Sequence, residues 1–353
     1  MNPATRICIV LALTMTGLVA CDDTSDGDGQ DTATDTTAPD VEDDLTDVET
    51  DPSLDVEEED VVLDVPADVE PDAPGPDCSM LAEGWVEGFM VDGLARDFIL
   101  HLPTDVDTGG PWPVIFAWHG LGDTADDFDA ALALDPDEAV LPHIQVVPEG
   151  TDNPILGGLA NLDWEVAEVS EGNREARLVD EVLACIEERW GVDEDHIHSM
   201  GISLGGFATD AVMTMRGDVI ASAFTWSGAY GNDAANLDAV EELQAIVFWD
   251  DLDLTNKYPQ VLVHGGETDT YTLLVITIPF DQMATNDAAF LNDNGHDVIL
   301  CDHGLGHTMP GSLGPLHALQ FFADHPMGTT DLPWETDGMP AAWPDDCTLM
   351  PAP

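Results

Sequence analysis

Positive charge is nearly absent from this sequence. Its 353 residues hold 7 Lys and Arg against 72 Asp and Glu, and Lys257 is the single lysine. A formal net charge of −65 repels nucleic acid and other anionic polymers, which are disfavoured as partners. Apolar runs are short: the one from Ile7 to Ala20 cannot span a bilayer. No internal repeat is visible, which argues against a solenoid or propeller. Cysteines number only six.

The ends of the chain differ from its middle. Arg6 precedes the apolar run, which closes on Leu18-Val19-Ala20-Cys21. A small residue just before a cysteine resembles the bacterial lipoprotein signal, implying cleavage after residue 20 and lipidation of Cys21; an ordinary secretory signal is the alternative. Residues 1–21 are therefore read as a signal, and the protein as exported and held to a cell-envelope membrane through its N-terminal lipid alone.

Residues 22–77 contain 23 acidic residues and no Lys or Arg, with Thr, Pro and Ala filling most of the remainder. Such a segment buries too little apolar surface to offset its ordering entropy, and its like charges repel. It reads as an extended acidic tether, in which Val61-Val62-Leu63 is a weaker candidate for an interaction motif. Residues 78–353 remain, enough for one large core, and carry 49 acidic residues against six basic ones. That surface suits a saline habitat or the avoidance of anionic surfaces. Of the cysteines, Cys78, Cys185, Cys301 and Cys347 fall in this domain. Three full pairings are open, and Cys78 with Cys347, which bracket the domain, is the expected bridge. Cys185 and Cys301 read equally as apolar core thiols.

Within the domain, strand patterns alternate with helical ones. Trp85 to Val91 and Arg96 to Leu102 form a hairpin about Asp92-Gly93. Pro113 to Trp118 is a near-continuous apolar run, as in a central parallel strand buried on both faces. A helix near Ala125 to Leu134 and a strand from Ile144 to Val147 follow. From Glu175 to Trp190, Leu178, Val179, Val182, Leu183, Ile186 and Trp190 make one helical stripe that stops at Gly191. Further strands are read at His196 to Met200, Ile220 to Trp226, Tyr258 to His264 and Asp297 to Cys301. The order predicts an α/β fold with a mostly parallel central sheet, helices on both faces and ligands at the carboxyl ends of the strands.

Gly201-Ile202-Ser203-Leu204-Gly205 stands between a strand and a helical stretch, as G-x-S-x-G requires to hold a serine hydroxyl out above a sheet edge. Ser203 is the candidate nucleophile; a linking Ser-Gly loop is the bland alternative. A serine needs a base and an acid that orients it. His307, in a glycine-rich loop after the last strand, is the candidate base. A metal pair of His303 and His307 is disfavoured by the glycines between them, and no metal is expected. Asp269, after the strand ending at His264, is the candidate acid, with Glu267 as runner-up. An oxyanion would meet the amides of Leu204 and of Leu121, in the loop after Trp118. His119 reads as an organiser of that loop. Trp118, Trp164 and Trp226 are candidate substrate-stacking residues, although large aromatics commonly fill cores. Tyr271 to Phe280 reads either as the wall of an acyl pocket or as a buried strand.

Taken together, the motifs resemble those of α/β-hydrolase serine esterases of the polyhydroxybutyrate depolymerase and feruloyl esterase type. They are Arg96 to Pro103, His119-Gly120, Val147-Pro148-Glu149-Gly150, Leu178 to Val182, Gly191-Val192-Asp193, the Ser203 turn, His264-Gly265 with Asp269, and Gly306-His307 with Pro310. They span roughly residues 85–325 in that family's order of nucleophile, acid and histidine. The loop from His264 to Asp269 is one residue longer than usual. The resemblance implies an α/β-hydrolase fold and ester hydrolysis through an acyl-enzyme without a cofactor, on feruloyl or acetyl esters of plant polysaccharide or on polyester. The rival expectation is a surface binding protein that keeps this scaffold without turnover.

Overall fold

The computed structural model describes residues 75–329 and 333–353. The signal, Cys21 and residues 22–74 of the tether lie outside the described residues.

The chain opens with the hairpin β1 (Gly84–Val91) and β2 (Leu94–His101). Asp92 and Gly93 turn it with φ of 48° and 80°, the paired positive angles of a two-residue hairpin loop. β3 (Trp112–Trp118), α1 (Ala125–Leu132) and β4 (Ile144–Pro148) follow, then α2 (Arg174–Trp190), β5 (Val192–Ile202), α3 (Leu204–Arg216) and β6 (Ser222–Trp226). A short helix α4 (Ala234–Ala239) leads to β7 (Gln260–His264), the hairpin β8 (Thr270–Leu273) and β9 (Ile276–Pro279), and α5 (Phe280–Asp293). β10 (Val298–Asp302), α6 (Pro315–Asp324) and β11 (Cys347–Met350) complete the main elements.

Nine strands form one sheet in the order β1-β2-β4-β3-β5-β6-β7-β10-β11. From β4 through to β10 every neighbouring pair is parallel, and antiparallel strands close both edges. β3 shows why its apolar run is unbroken. Val114, Phe116 and Trp118 pack with Leu178, Val182 and Ile186 of α2 and Val212 of α3 on one face. Ile115 and Ala117 pack with Phe128 of α1 and Leu319, Phe321 and Phe322 of α6 on the other. Alternate side chains therefore serve two cores, one under each helix layer. Asn173 starts α2 by accepting the amides of Glu175 and Ala176.

One charge pair lies wholly inside. Arg96 Nη2 of β2 donates to Glu175 Oε2 at the start of α2 at 2.7 Å, with both side chains fully buried. Glu175 Oε1 also accepts the amide of Glu165 at 2.9 Å.

The cysteine pairing corrects the sequence expectation. Cys78 bonds Cys185 and Cys301 bonds Cys347, so the two ends are tied to neighbouring elements and not to each other. Residue 347 sits directly opposite Cys301 across the antiparallel β10–β11 pair. The turn at Cys78 lies on α2, where Arg189 donates to the carbonyls of Cys78 and Leu81. Neither Cys185 nor Cys301 is a free core thiol.

Candidate active site

Ser203 is lifted out of the sheet by its backbone. β5 stops at Ile202 and α3 begins at Leu204, leaving Ser203 between them with φ 56° and ψ −121°. A non-glycine residue there carries strain of roughly 1–3 kcal/mol, so the surroundings must hold it. They do so through its amide, which donates to the Trp226 carbonyl at 2.8 Å, and its carbonyl, which accepts the Phe207 amide at 3.0 Å. The flanking glycines are needed for close approach. A Cβ on Gly201 would sit 2.1 Å from the Gly205 carbonyl oxygen, and one on Gly205 would sit 2.0 Å from that of Trp118.

The next strand ends repeat the pattern and bring the partners in. After β7, a single turn of 3-10 helix over Gly266–Thr268 takes up the longer loop and delivers Asp269 into the interior, fully buried. His307, in the loop after β10, accepts this arrangement from both sides: its Nδ1 lies 2.7 Å from Asp269 Oδ1 and its Nε2 lies 2.9 Å from Ser203 Oγ. With a carboxylate fixing the proton on Nδ1, Nε2 is left as the acceptor that faces the serine. The Phe280 ring stacks on the imidazole at 4.7 Å, and the Tyr271 ring lies 5.9 Å from it. Glu267, the runner-up for the acid, is exposed on the turn, and Asp269 is the carboxylate that meets His307.

Asp269 has a second set of partners. Its Oδ2 accepts the Gly265 amide and the Ser227 hydroxyl, each at 2.8 Å. Burial pushes the carboxyl pKa upward, but hydrogen bonds from His307, the Gly265 amide and Ser227 outweigh it, and the pKa falls below its ordinary value. The carboxylate thus stays ionised beside the imidazole. Sequence reading missed Ser227. Its one signal in the sequence is that it follows an apolar strand and precedes Gly228; in the structure it resembles Ser203, with a positive φ of 54° and its amide donating to the carbonyl of Val263 in the next strand at 2.7 Å.

Leu204 is the first residue of α3, where an amide has no partner within the helix and the helix field favours negative charge. The Leu121 loop lies against the nucleophile, since a Cβ on Gly120 would be 3.6 Å from the Ser203 Cβ. Next to it the Gly122 amide is already committed to Asp163 Oδ2 at 2.6 Å. Leu121, Leu204 and Ser203 border the same cavity. His119 is buried behind them with its ring 4.6 Å from that of Trp164 and its carbonyl accepting Trp164 Nε1 at 2.9 Å, which fixes the loop.

The cavity is partly open, with about 680 Å³ of free space when the solvent at its mouth is counted. Its walls are Ile155, Leu162, Val166 and Ala167 on one side, Leu243, Ile246 and Val247 on another, and Phe207 with Tyr271, Leu273, Ile276, Ile278 and Phe280 on a third. The ambiguous segment after Asp269 is therefore a pocket-lining hairpin and not a strand of the main sheet. The three tryptophans are a correction. Trp118, Trp164 and Trp226 are fully buried, line no part of this cavity, and spend their indole N–H groups on Ser199 Oγ, the His119 carbonyl and the Leu313 carbonyl. They stand near the site in sequence but point into the cores. Among the described residues, no group of three or more His, Cys, Asp or Glu is placed to hold a metal ion.

No protein-family model matches the chain. Over 144 residues it is 24% identical to feruloyl esterase D of Neurospora crassa, a match covering 39% of this chain and 47% of that protein, so that the chain spans about half the length of this curated relative. Among solved structures, native pOPH is similar with a TM-score of 0.59 at 19% identity, covering 79% of this chain and 97% of that one. Native sOPH gives 0.62 at 17% identity, covering 79% and 95%. Sheet order, the serine turn and these likenesses together establish that the chain has the α/β-hydrolase fold.

Proposed function

We propose that this protein is a secreted, lipid-anchored serine carboxylic ester hydrolase that works through an acyl-enzyme. The observation that carries the reading is the hydrogen-bonded series from Asp269 through His307 to Ser203 at the edge of an apolar cavity. Ser203 Oγ attacks the ester carbonyl as His307 Nε2 takes its proton. Asp269 holds the resulting imidazolium in place, and the amides of Leu121 and Leu204 receive the developing oxyanion. His307 returns the proton to the departing alcohol, and water then repeats the sequence on the acyl-enzyme. Feruloyl or acetyl esters of plant polysaccharide, or polyester, are the substrates proposed from the sequence resemblance, and the partial match to a feruloyl esterase supports the first. The anchor is Cys21, with residues 22–77 as the acidic spacer between lipid and hydrolase domain 78–353. No cofactor is required by these steps.

A fluorophosphonate probe tests the reading. Stoichiometric labelling lost in Ser203→Ala is the expected result. Folded protein that fails to label would favour the non-catalytic surface binder instead.

Ser227 should tune the acid. Ser227→Gly removes the hydroxyl while accommodating the positive φ, so hydrogen bonding changes without added backbone strain. Asp269 becomes more basic, and the acid limb of the kcat/KM profile should move to higher pH, with kcat down about tenfold. An unmoved profile would make Ser227 purely structural.

A further inference from the structure

We infer that the acyl part of the substrate is an uncharged aliphatic chain several carbons long, and that the cavity selects against hydroxylated aromatic and anionic acyl groups. This rests on the ester-hydrolase reading and narrows it, against its feruloyl and acetyl options and in favour of an aliphatic ester.

The cavity beside Ser203 extends past what an acetyl group needs, with apolar walls drawn from Ile155 to Ala167, from Leu243 to Val247 and from the Tyr271 to Phe280 hairpin. Among its lining side chains the only polar groups are the hydroxyls of Ser203 and Tyr271. Tyr271 belongs to the reacting end, because its ring lies 5.9 Å from that of His307. A phenolic hydroxyl carried on the far edge of a feruloyl ring finds no side-chain partner in this lining beyond Ser203 and Tyr271, which stand at the reacting end. That penalty is on the order of tenfold or more in binding. An acyl carboxylate would meet no cation in the lining and would enter the field of a strongly acidic protein. A hydrocarbon chain suffers neither penalty and gains with each methylene.

The wall is also mechanically joined to the catalytic groups. The β8–β9 hairpin leaves the chain directly after Asp269 and returns at Phe280, whose amide donates to the Asp269 carbonyl at 2.9 Å and whose ring stacks on His307. Ile276 and Ile278, on the returning strand, face the cavity. Packing of a chain against this hairpin braces the face of the imidazole on which Phe280 stacks, so chain length should register in kcat as well as in KM.

The test uses the full chain with p-nitrophenyl acetate, butyrate, hexanoate and octanoate, together with methyl hexanoate and methyl ferulate. At about fourfold per methylene, kcat/KM should rise on the order of 250-fold over the four methylenes from acetate to hexanoate. Methyl hexanoate should exceed methyl ferulate by tenfold or more. Ile276→Asp, which places a carboxylate in the wall, should cut the hexanoate-to-acetate ratio at least tenfold. Ala167→Phe, which fills the cavity with hydrocarbon, should lower the octanoate-to-acetate ratio if the first variant does not fold. A flat chain-length profile, or methyl ferulate matching methyl hexanoate, overturns this inference while fluorophosphonate labelling keeps the hydrolase reading. Absence of both labelling and ester turnover in the folded protein removes the two together.

Discussion

Ser203→Ala is expected to lower kcat for p-nitrophenyl acetate by about 10⁵- to 10⁶-fold while leaving the protein folded. Alanine keeps the Cβ, so the positive φ of the turn is neither relieved nor worsened, and the bonds of residue 203 to Trp226 and Phe207 are main-chain ones. The melting temperature should hardly move. His307→Ala should cause a loss of similar size, and the double variant should be no worse than either single one, because base and nucleophile act as a unit. What remains would come from the Leu121 and Leu204 amides and from the cavity. Undiminished turnover in Ser203→Ala would remove the serine mechanism; additive losses would mean that serine and histidine serve different steps.

Glu175→Ala should be the most damaging substitution away from the site. It strands the Arg96 guanidinium in a fully buried position, and it also removes the acceptor of the Glu165 amide. Breaking one side of a buried pair costs about 3–5 kcal/mol, which for a domain of this size lowers the melting temperature on the order of 10 °C. Replacing both partners, as Arg96→Met with Glu175→Leu, should recover most of the loss, since desolvation of both charges disappears with them. A denaturant midpoint for Glu175→Ala within about 1 kcal/mol of the parent would show that water reaches the pair. Loss without recovery in the double replacement would place the effect in the Glu165 amide contact instead.

The parts of this protein that could be read from the sequence are those whose causes are local. β3 announces itself because burial on both faces removes polar alternation, and the turn at Ser203 because two backbones pass within contact of its glycines. Asp269 and His307 follow from their position after strand ends, even though the loop to Asp269 has an extra residue. Trp118, Trp164 and Trp226 show the limit. Trp118 and Trp226, at strand ends, point up or down by strand parity, Trp164 lies in a bend beyond a short strand, and the size of all three favoured the core. The cysteine pairing was illegible for a related reason: Cys347 meets Cys301 only because residues 347–350 add an antiparallel edge strand too short to show a period. The walls formed by Ile155 to Ala167 and Leu243 to Val247 come from irregular segments, which meet through tertiary packing alone.

The hairpin between Asp269 and Phe280 has an evolutionary consequence. Because it departs from and rejoins the scaffold within hydrogen-bonding distance of one residue, its tip at Leu274 and Val275 can lengthen, shorten or change character while both stems stay anchored. It is a replaceable cassette. Exchange of the ten residues 270–279 would remake this wall of the pocket while the segments that carry Ser203, Asp269 and His307 keep their sequence.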